Sequence, residues 1–396
     1  TLKLPPVVTA LGFCAAALLF GWAASAGFMG LDPGGPLMGN TDLKVYYPQS
    51  DWVLKSGDLP FRDTVSEYPL AANLLFGAVR KISEAFPILN DPFFNFNLLW
   101  MGIAGLAYGY GASRIAREGP LQLAGWLSAG ALYFSLYRYD IYPALAFLLA
   151  MWALRDEAWV RAAIWLGLCI ALKGYAVVAL PALLVFLIPR LGFLRAAAFC
   201  SATLIPLLAS LGAVWLYGGP EAVLMPFKFH ADRPFNGEAI YVVVDRLVPG
   251  EAGALMDWLL SAKVPLLIQA GFALVAAAMR PRTFEQLVRA LAVAVLGFVT
   301  FGVFYSPQFV LWIIGVTTFS SHRATLVLVV LLGWVSVLFF PILFYLDRQP
   351  VPPDHTRGML EASILVMVVL KLCLLGGQMI RRRKLDPARE APVAAA

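Results

Sequence analysis

An all-α polytopic membrane protein is the fold class this sequence predicts, on three observations. Of the 396 residues, 60% are hydrophobic and only 14% are charged. The mean hydropathy of +0.76 lies well above that of a soluble globule. The apolar residues fall in long runs, which satisfy their own backbone hydrogen bonds as helices, whereas a barrel would show short alternating strands.

A crossing needs about 20 apolar residues. Suitable runs fall near 7–28, 93–113, 120–137, 141–154, 159–173, 175–189, 196–217, 257–279, 287–304, 308–320, 324–345 and 359–380. They predict about twelve transmembrane helices in a single domain over 1–384, with both termini on one side. The first run contains Ala24-Ser25-Ala26, which resembles a signal-peptide cleavage site. It is long for a signal peptide and Lys3 is the only basic residue before it, so it reads as an uncleaved first span. Lys173-Gly174 separates two short runs, so that pair is expected to be tilted, broken or partly re-entrant. Residues 68–86 are apolar enough for a helix, but Arg80 and Lys81 stand where the core of a span would be. Burying both at mid-membrane would cost several kcal/mol, so an amphipathic helix along the outer interface is expected. The tail over 385–396 is rich in Ala and Pro and is expected to be disordered and cytoplasmic.

Orientation follows from the basic residues. Arg114, Arg117, Arg155, Arg161, Arg190, Arg195, Arg280, Arg282, Arg289, Arg323 and the Arg381–Lys384 cluster all fall on one side of the expected topology. The positive-inside rule makes that side the cytoplasm. The acids are biased to the other side, as are the long loops, 29–92, 218–256 and 346–358. The working surface is therefore expected to face away from the cytoplasm. The net charge of +6 is explained by this asymmetry and does not point to nucleic acid. Cys14, Cys169, Cys200 and Cys373 all lie in apolar runs without metal-type spacing and read as packing residues.

The loop from Asn40 to Leu70 is too long and too acidic for a simple turn: it holds Asp42, Asp51, Asp58, Asp63 and Glu67. Asp42, close to the expected interface, suits a general base that takes a proton from an alcohol. A solvated carboxylate or a helix N-cap is the alternative. Glu67, followed by Tyr68 and Pro69, could flank the same pocket or begin the next helix, and Arg62 with Asp63 reads as a local surface ion pair. In the second long loop, Lys228, His230 and Arg233 form a basic cluster followed by Glu238, a set suited to a phosphate or to pairing within the loop. Arg138 and Asp140 in one turn, and Lys173 at the end of a span, are expected on the same outer face. Charges at membrane depth usually line a functional cavity. Gln308, after Pro307, would offer an amide to a hydroxyl-rich ligand. No P-loop or phosphate-binding glycine fingerprint occurs, and no metal motif is recognisable, so no cofactor is firmly predicted while a divalent metal stays open. An activated donor outside the cytoplasm would then be lipid-linked.

With those residues in view, the chain resembles the glycosyltransferase C superfamily, nearest to the family-87 polyprenol-phosphate-dependent mannosyltransferases. The likeness rests on Asp42 with Tyr46, on Ser56-Gly57-Asp58-Leu59-Pro60-Phe61-Arg62-Asp63, and on Glu67-Tyr68-Pro69. Lys173-Gly174-Tyr175, His230 with Arg233 and Glu238, and Ser306-Pro307-Gln308-Phe309 then follow in the family's order, over roughly residues 10–345. The resemblance implies inverting transfer of a sugar, mannose as the family guess, from a polyprenyl-phosphate donor to a hydroxyl of a lipid or glycan acceptor. It implies Asp42 as the base; His230 and Arg233, then Lys173 and Arg138, are the candidate basic donors to the leaving phosphate. Leu70 stands where the family commonly has a second proline, which leaves acceptor and sugar open. The alternative class is a lipid or solute transporter, although no internal repeat of the kind transporters show is visible.

Overall fold

A computed structural model of the protein describes residues 5–25, 42–55, 57–231, 233–247, 256–259, 263–349 and 351–380. Among them the chain is all-helical, with no β-strand and only an isolated bridge between Pro60 and Thr64. Arg381–Lys384 and the tail over 385–396 lie outside the described residues, as do 26–28 of the first expected span, 29–41 of the first expected loop and 248–255 of the second.

The first helices are α1 (Pro6–Ser25), α2 (Leu43–Gln49), α3 (Leu70–Ala85) and α4 (Pro92–Ile115). The start of α4 is set locally: the Asp91 side chain accepts from the backbone N–H of Phe93 and Phe94, with Pro92 at the first helical position. Helix α1 runs against α4, and Gly109 permits the close approach, because a Cβ there would collide with the Ala10 carbonyl. Helix α3 is amphipathic, as expected, but Arg80 is not solvated. It is buried, over the Tyr47 ring at 3.7 Å and paired with Glu84 at 3.2 Å and Asp51 at 3.6 Å.

Several expected spans are divided. Residues 120–137 form α5 (Pro120–Trp126) and α6 (Ala129–Tyr137), where Ser128 caps α6 by accepting from Ala131 N–H. Helix α7 (Ile141–Arg155) leads to α8 (Trp159–Leu172). The chain then breaks at an extended Lys173, passes through a 3-10 stretch at Gly174–Ala179 and continues as α9 (Leu180–Leu191). Helix α10 (Phe193–Ala231) runs far past the expected end at 217, with a kink at Gly219 (φ +72°), so Lys228 and His230 sit on a helix and not in a loop.

Helices α11 (Ile240–Leu247), α12 (Val264–Ala278), α13 (Phe284–Thr300), α14 (Val310–Thr317), α15 (Arg323–Val337) and α16 (Thr356–Ile380) complete the described bundle. Thr283 and Gln286 form a capping box that starts α13. The helix of α15 continues to Leu346 through a bend at Phe340. Helix α14 is buried along its whole length among α7, α13 and α15, which explains how an eight-residue apolar helix persists: protein surrounds it on all sides.

Among the described residues four helical stretches are long and apolar enough to cross a membrane: Gly174–Leu191, Phe193–Ala231, Arg323–Leu346 and Thr356–Ile380. In Phe193–Ala231 only 17% of the most apolar window is buried by protein, so its Ile205, Leu208, Trp215 and Leu216 face outward as lipid-facing side chains would. The protein is a helical membrane protein by these measures.

Candidate functional site

The charged residues gather at the end of the bundle where α6 ends and α7 begins. Asp42 stands at the N-cap of α2, yet its side chain makes no capping hydrogen bond. Its Oδ1 pairs instead with the guanidinium of Arg138, and the Tyr46 hydroxyl, one turn along α2, donates to its Oδ2 at 3.2 Å. The backbone N–H of Tyr139 donates to the same hydroxyl at 3.3 Å, so Tyr46 ties the first loop to the Arg138–Asp140 turn. Arg138 is buried beside the bend of the α15 helix, with its guanidinium 5.1 Å from the Phe340 ring.

Two residues on, Asp140 is wholly buried. Its Oδ1 accepts from Lys173 Nζ at 2.7 Å and from Trp312 Nε1 at 2.9 Å. Lys173 reaches this point because the chain breaks there: the extended residue ends α8 and aims its ammonium across the Tyr139 ring at 4.5 Å and the Trp312 ring at 4.9 Å. Trp312 is fixed between Tyr175, stacked at 4.1 Å, and Phe309, stacked at 4.0 Å. Three segments far apart in sequence thus meet on one carboxylate oxygen.

Glu67 forms the third acidic point. It pairs with Arg233 at 3.5 Å, while its carbonyl lies 3.2 Å from His230 Nε2. Arg233 also lies 4.0 Å from the Phe304 ring. Lys173 is within electrostatic reach of Glu67 and Arg138 as well as Asp140, which makes the three pairs one cluster. A wall of aromatic rings backs it: Tyr46 stacks on Phe76 at 4.3 Å and meets Tyr68 and Tyr139 edge-on at 5.5 and 5.9 Å. Burial first, and then the neighbouring Glu67 charge, hold the Tyr68 phenol well above its ordinary range, so Tyr68 stays a hydrogen-bond donor at neutral pH.

Of the expected residues, Asp42, Glu67, Tyr68, Arg138, Asp140, Lys173, His230 and Arg233 come together. The expected grouping of Lys228, His230, Arg233 and Glu238 does not. Lys228 pairs with Glu221 on the exposed side of α10, because helical geometry turns it away from its near neighbour His230. Glu238 is drawn to a separate basic surround of Lys371, Arg246 and Arg348, and burial raises its carboxyl above the usual range. Gln308 is buried in the 3-10 turn Pro307–Phe309, and its amide makes no hydrogen bond to the cluster. Arg62 and Asp63 form a local pair at 2.8 Å.

Lys371 was not picked out from the sequence. It is wholly buried on α16, 3.3 Å from the Tyr305 ring, and its Nζ has no hydrogen-bond partner among the described residues. The signal was present, since a lysine inside an apolar run is a candidate functional residue by default. Trp312 gave no comparable signal, because what matters is where its indole N–H ends up. Among the described residues no group of three His, Cys, Asp or Glu side chains is arranged to hold a metal ion.

Fold and cluster together define a helical membrane protein with three acids, their basic partners and an aromatic wall at one end of the bundle. Comparison with protein-family models, with curated proteins and with solved structures finds no match for this chain.

Proposed function

We propose that this protein is an inverting glycosyltransferase that moves a sugar, mannose by the family resemblance, from a polyprenyl-phosphate donor to a hydroxyl of a lipid or glycan acceptor. In this reading the chain crosses a bacterial cytoplasmic membrane about twelve times, with cytoplasmic termini and the Asp42 cluster on the exterior side.

The observation that supports it most is the Asp42–Arg138 pair, a partly exposed carboxylate held by a buried guanidinium with Lys173, His230 and Arg233 nearby. A carboxylate tied to arginine is a weak base. A donor phosphate that recruits Arg138 would loosen the pair and leave Asp42 free to accept a proton. Asp42 then takes the proton of the acceptor hydroxyl while that oxygen forms a bond to the anomeric carbon. The bond from that carbon to the phosphate oxygen breaks on the opposite face, and its electron pair leaves with the polyprenyl phosphate. Arginine and lysine stabilise the growing negative charge, which is where preorganised electrostatics contribute most. One base and no covalent intermediate suffice for inversion.

Lys371 favours a second reading, because an intramembrane charge without a hydrogen-bond partner is a feature of transport pathways. One experiment separates the two. The protein is reconstituted in liposomes with a radiolabelled polyprenyl-phosphate sugar and a set of lipid acceptors. Labelled acceptor in the protein's presence supports transfer. Movement of the donor across the bilayer with no product supports transport and rejects the proposal.

A further inference from the structure

At the end of the bundle opposite the Asp42 cluster, where α9 and α12 both finish, lies an open groove of about 420 Å³. Its walls are Val185, Ile188, Pro189, Ala277 and Ala278, and its rim carries Arg280 and Arg282. The Arg280-Pro281-Arg282 turn is held by its backbone, with Arg280 at φ +50°. Arg282 N–H donates to Gln286 Oε1 at 2.7 Å, and Arg282 carbonyl accepts from Arg190 Nη2 at 2.6 Å. Arg190 spends its other hydrogen bond on the Phe186 carbonyl. None of the three guanidinium groups forms an ion pair among the described residues, and Glu157 is the one acid that acts on Arg190. The result is a rigid positive rim above an apolar trough, its arginines without an ion pair among the described residues.

We propose that this groove binds an acidic phospholipid of the adjoining leaflet, with the phosphodiester between Arg280 and Arg282 and an acyl chain along Val185, Ile188 and Ala278. Basic pockets between helices at a membrane surface select anionic headgroups in this way. A free phosphate would satisfy the arginines but leave the trough open to water. A lipid covers both, so the geometry selects the lipid. This site is separate from the Asp42 cluster and does not depend on the chemistry proposed there.

The test is native mass spectrometry of the delipidated full chain in detergent micelles, titrated with dioleoyl phosphatidylglycerol. Dioleoyl phosphatidylcholine and inorganic phosphate serve as comparisons. The wild type, and Arg161→Gln as an exposed control outside the groove, are expected to retain one phosphatidylglycerol in preference to both. Arg280→Gln/Arg282→Gln should weaken retention roughly thirty-fold, the effect of two interfacial charges. Ala278→Phe, which fills the trough and keeps both arginines, should weaken it as well. Equal retention of phosphatidylcholine, equal loss in Arg161→Gln, or full retention by Ala278→Phe would each overturn the proposal. If the double variant does not fold, Ala278→Phe decides alone.

Discussion

Asp140→Asn tests whether the buried junction of the cluster is held by charge. The substitution keeps the volume and an acceptor for the Trp312 indole but strands the Lys173 ammonium, 2.7 Å away. Removing one partner of a buried ion pair costs about 3–5 kcal/mol, because the survivor stays desolvated. The Lys173 side chain is 18% exposed and that of Asp140 is 0% exposed. Asp140→Asn should therefore cost about 3 kcal/mol and Lys173→Met, which strands the more deeply buried charge, about 5 kcal/mol. Removing both should return the protein to within about 2 kcal/mol of wild type, since a buried pair gains little over a neutral replacement. The assay is unfolding by sodium dodecyl sulfate in mixed micelles, followed by circular dichroism. A double variant as unstable as the sum of the singles would show that the two charges do not depend on each other and would refute the reasoning.

Three further outcomes follow from the same geometry. Arg233→Ala should raise the donor KM by about ten-fold with a smaller change in kcat, while stability changes by less than about 1 kcal/mol because the Glu67 pair is partly exposed; unchanged donor kinetics would remove Arg233 from the phosphate site. Glu238 is raised above its ordinary 4.5 by burial, so its contribution to stability is whole below that value and is lost as pH rises through the raised one. The melting temperature of Glu238→Gln should accordingly gain on wild type between pH 4 and pH 8, and a loss over that interval would contradict the assignment. Gly130→Ala should destabilise by about 1–3 kcal/mol in the detergent assay, because its new Cβ meets the Gly333 carbonyl where α6 crosses α15; an unchanged midpoint would show that the helices separate freely.

Much of the fold was legible because hydrophobic runs report helices directly. Where the helices differ from the apolar runs, protein packing and local capping set their ends. Within the run at 308–320, α14 is eight residues long and sheathed by protein. The run at 120–137 is cut by Ser128, whose capping role is local and easily passed over in an apolar stretch. In the site, Asp42, Arg138, Asp140 and Lys173 were legible because a charge at membrane depth is costly and must find a partner. Arg80 misled for the same reason. That cost places its helix along the outer interface, yet Arg80 is buried because Asp51, Glu84 and Tyr47 supply the partners. Grouping by sequence distance failed for Glu238, which lies five residues from Arg233 but is drawn to Lys371 from the far end of the chain.

The central claim, that Asp42 is the base released from Arg138 when donor binds, is tested most directly by single-turnover transfer from a polyprenyl-phosphate sugar in wild type and Asp42→Asn, with donor binding measured on the same preparations. The account predicts that Asp42→Asn binds donor at least as tightly, since Arg138 is already free, and transfers roughly 10²–10⁴-fold more slowly. Wild-type transfer rates in Asp42→Asn would contradict it.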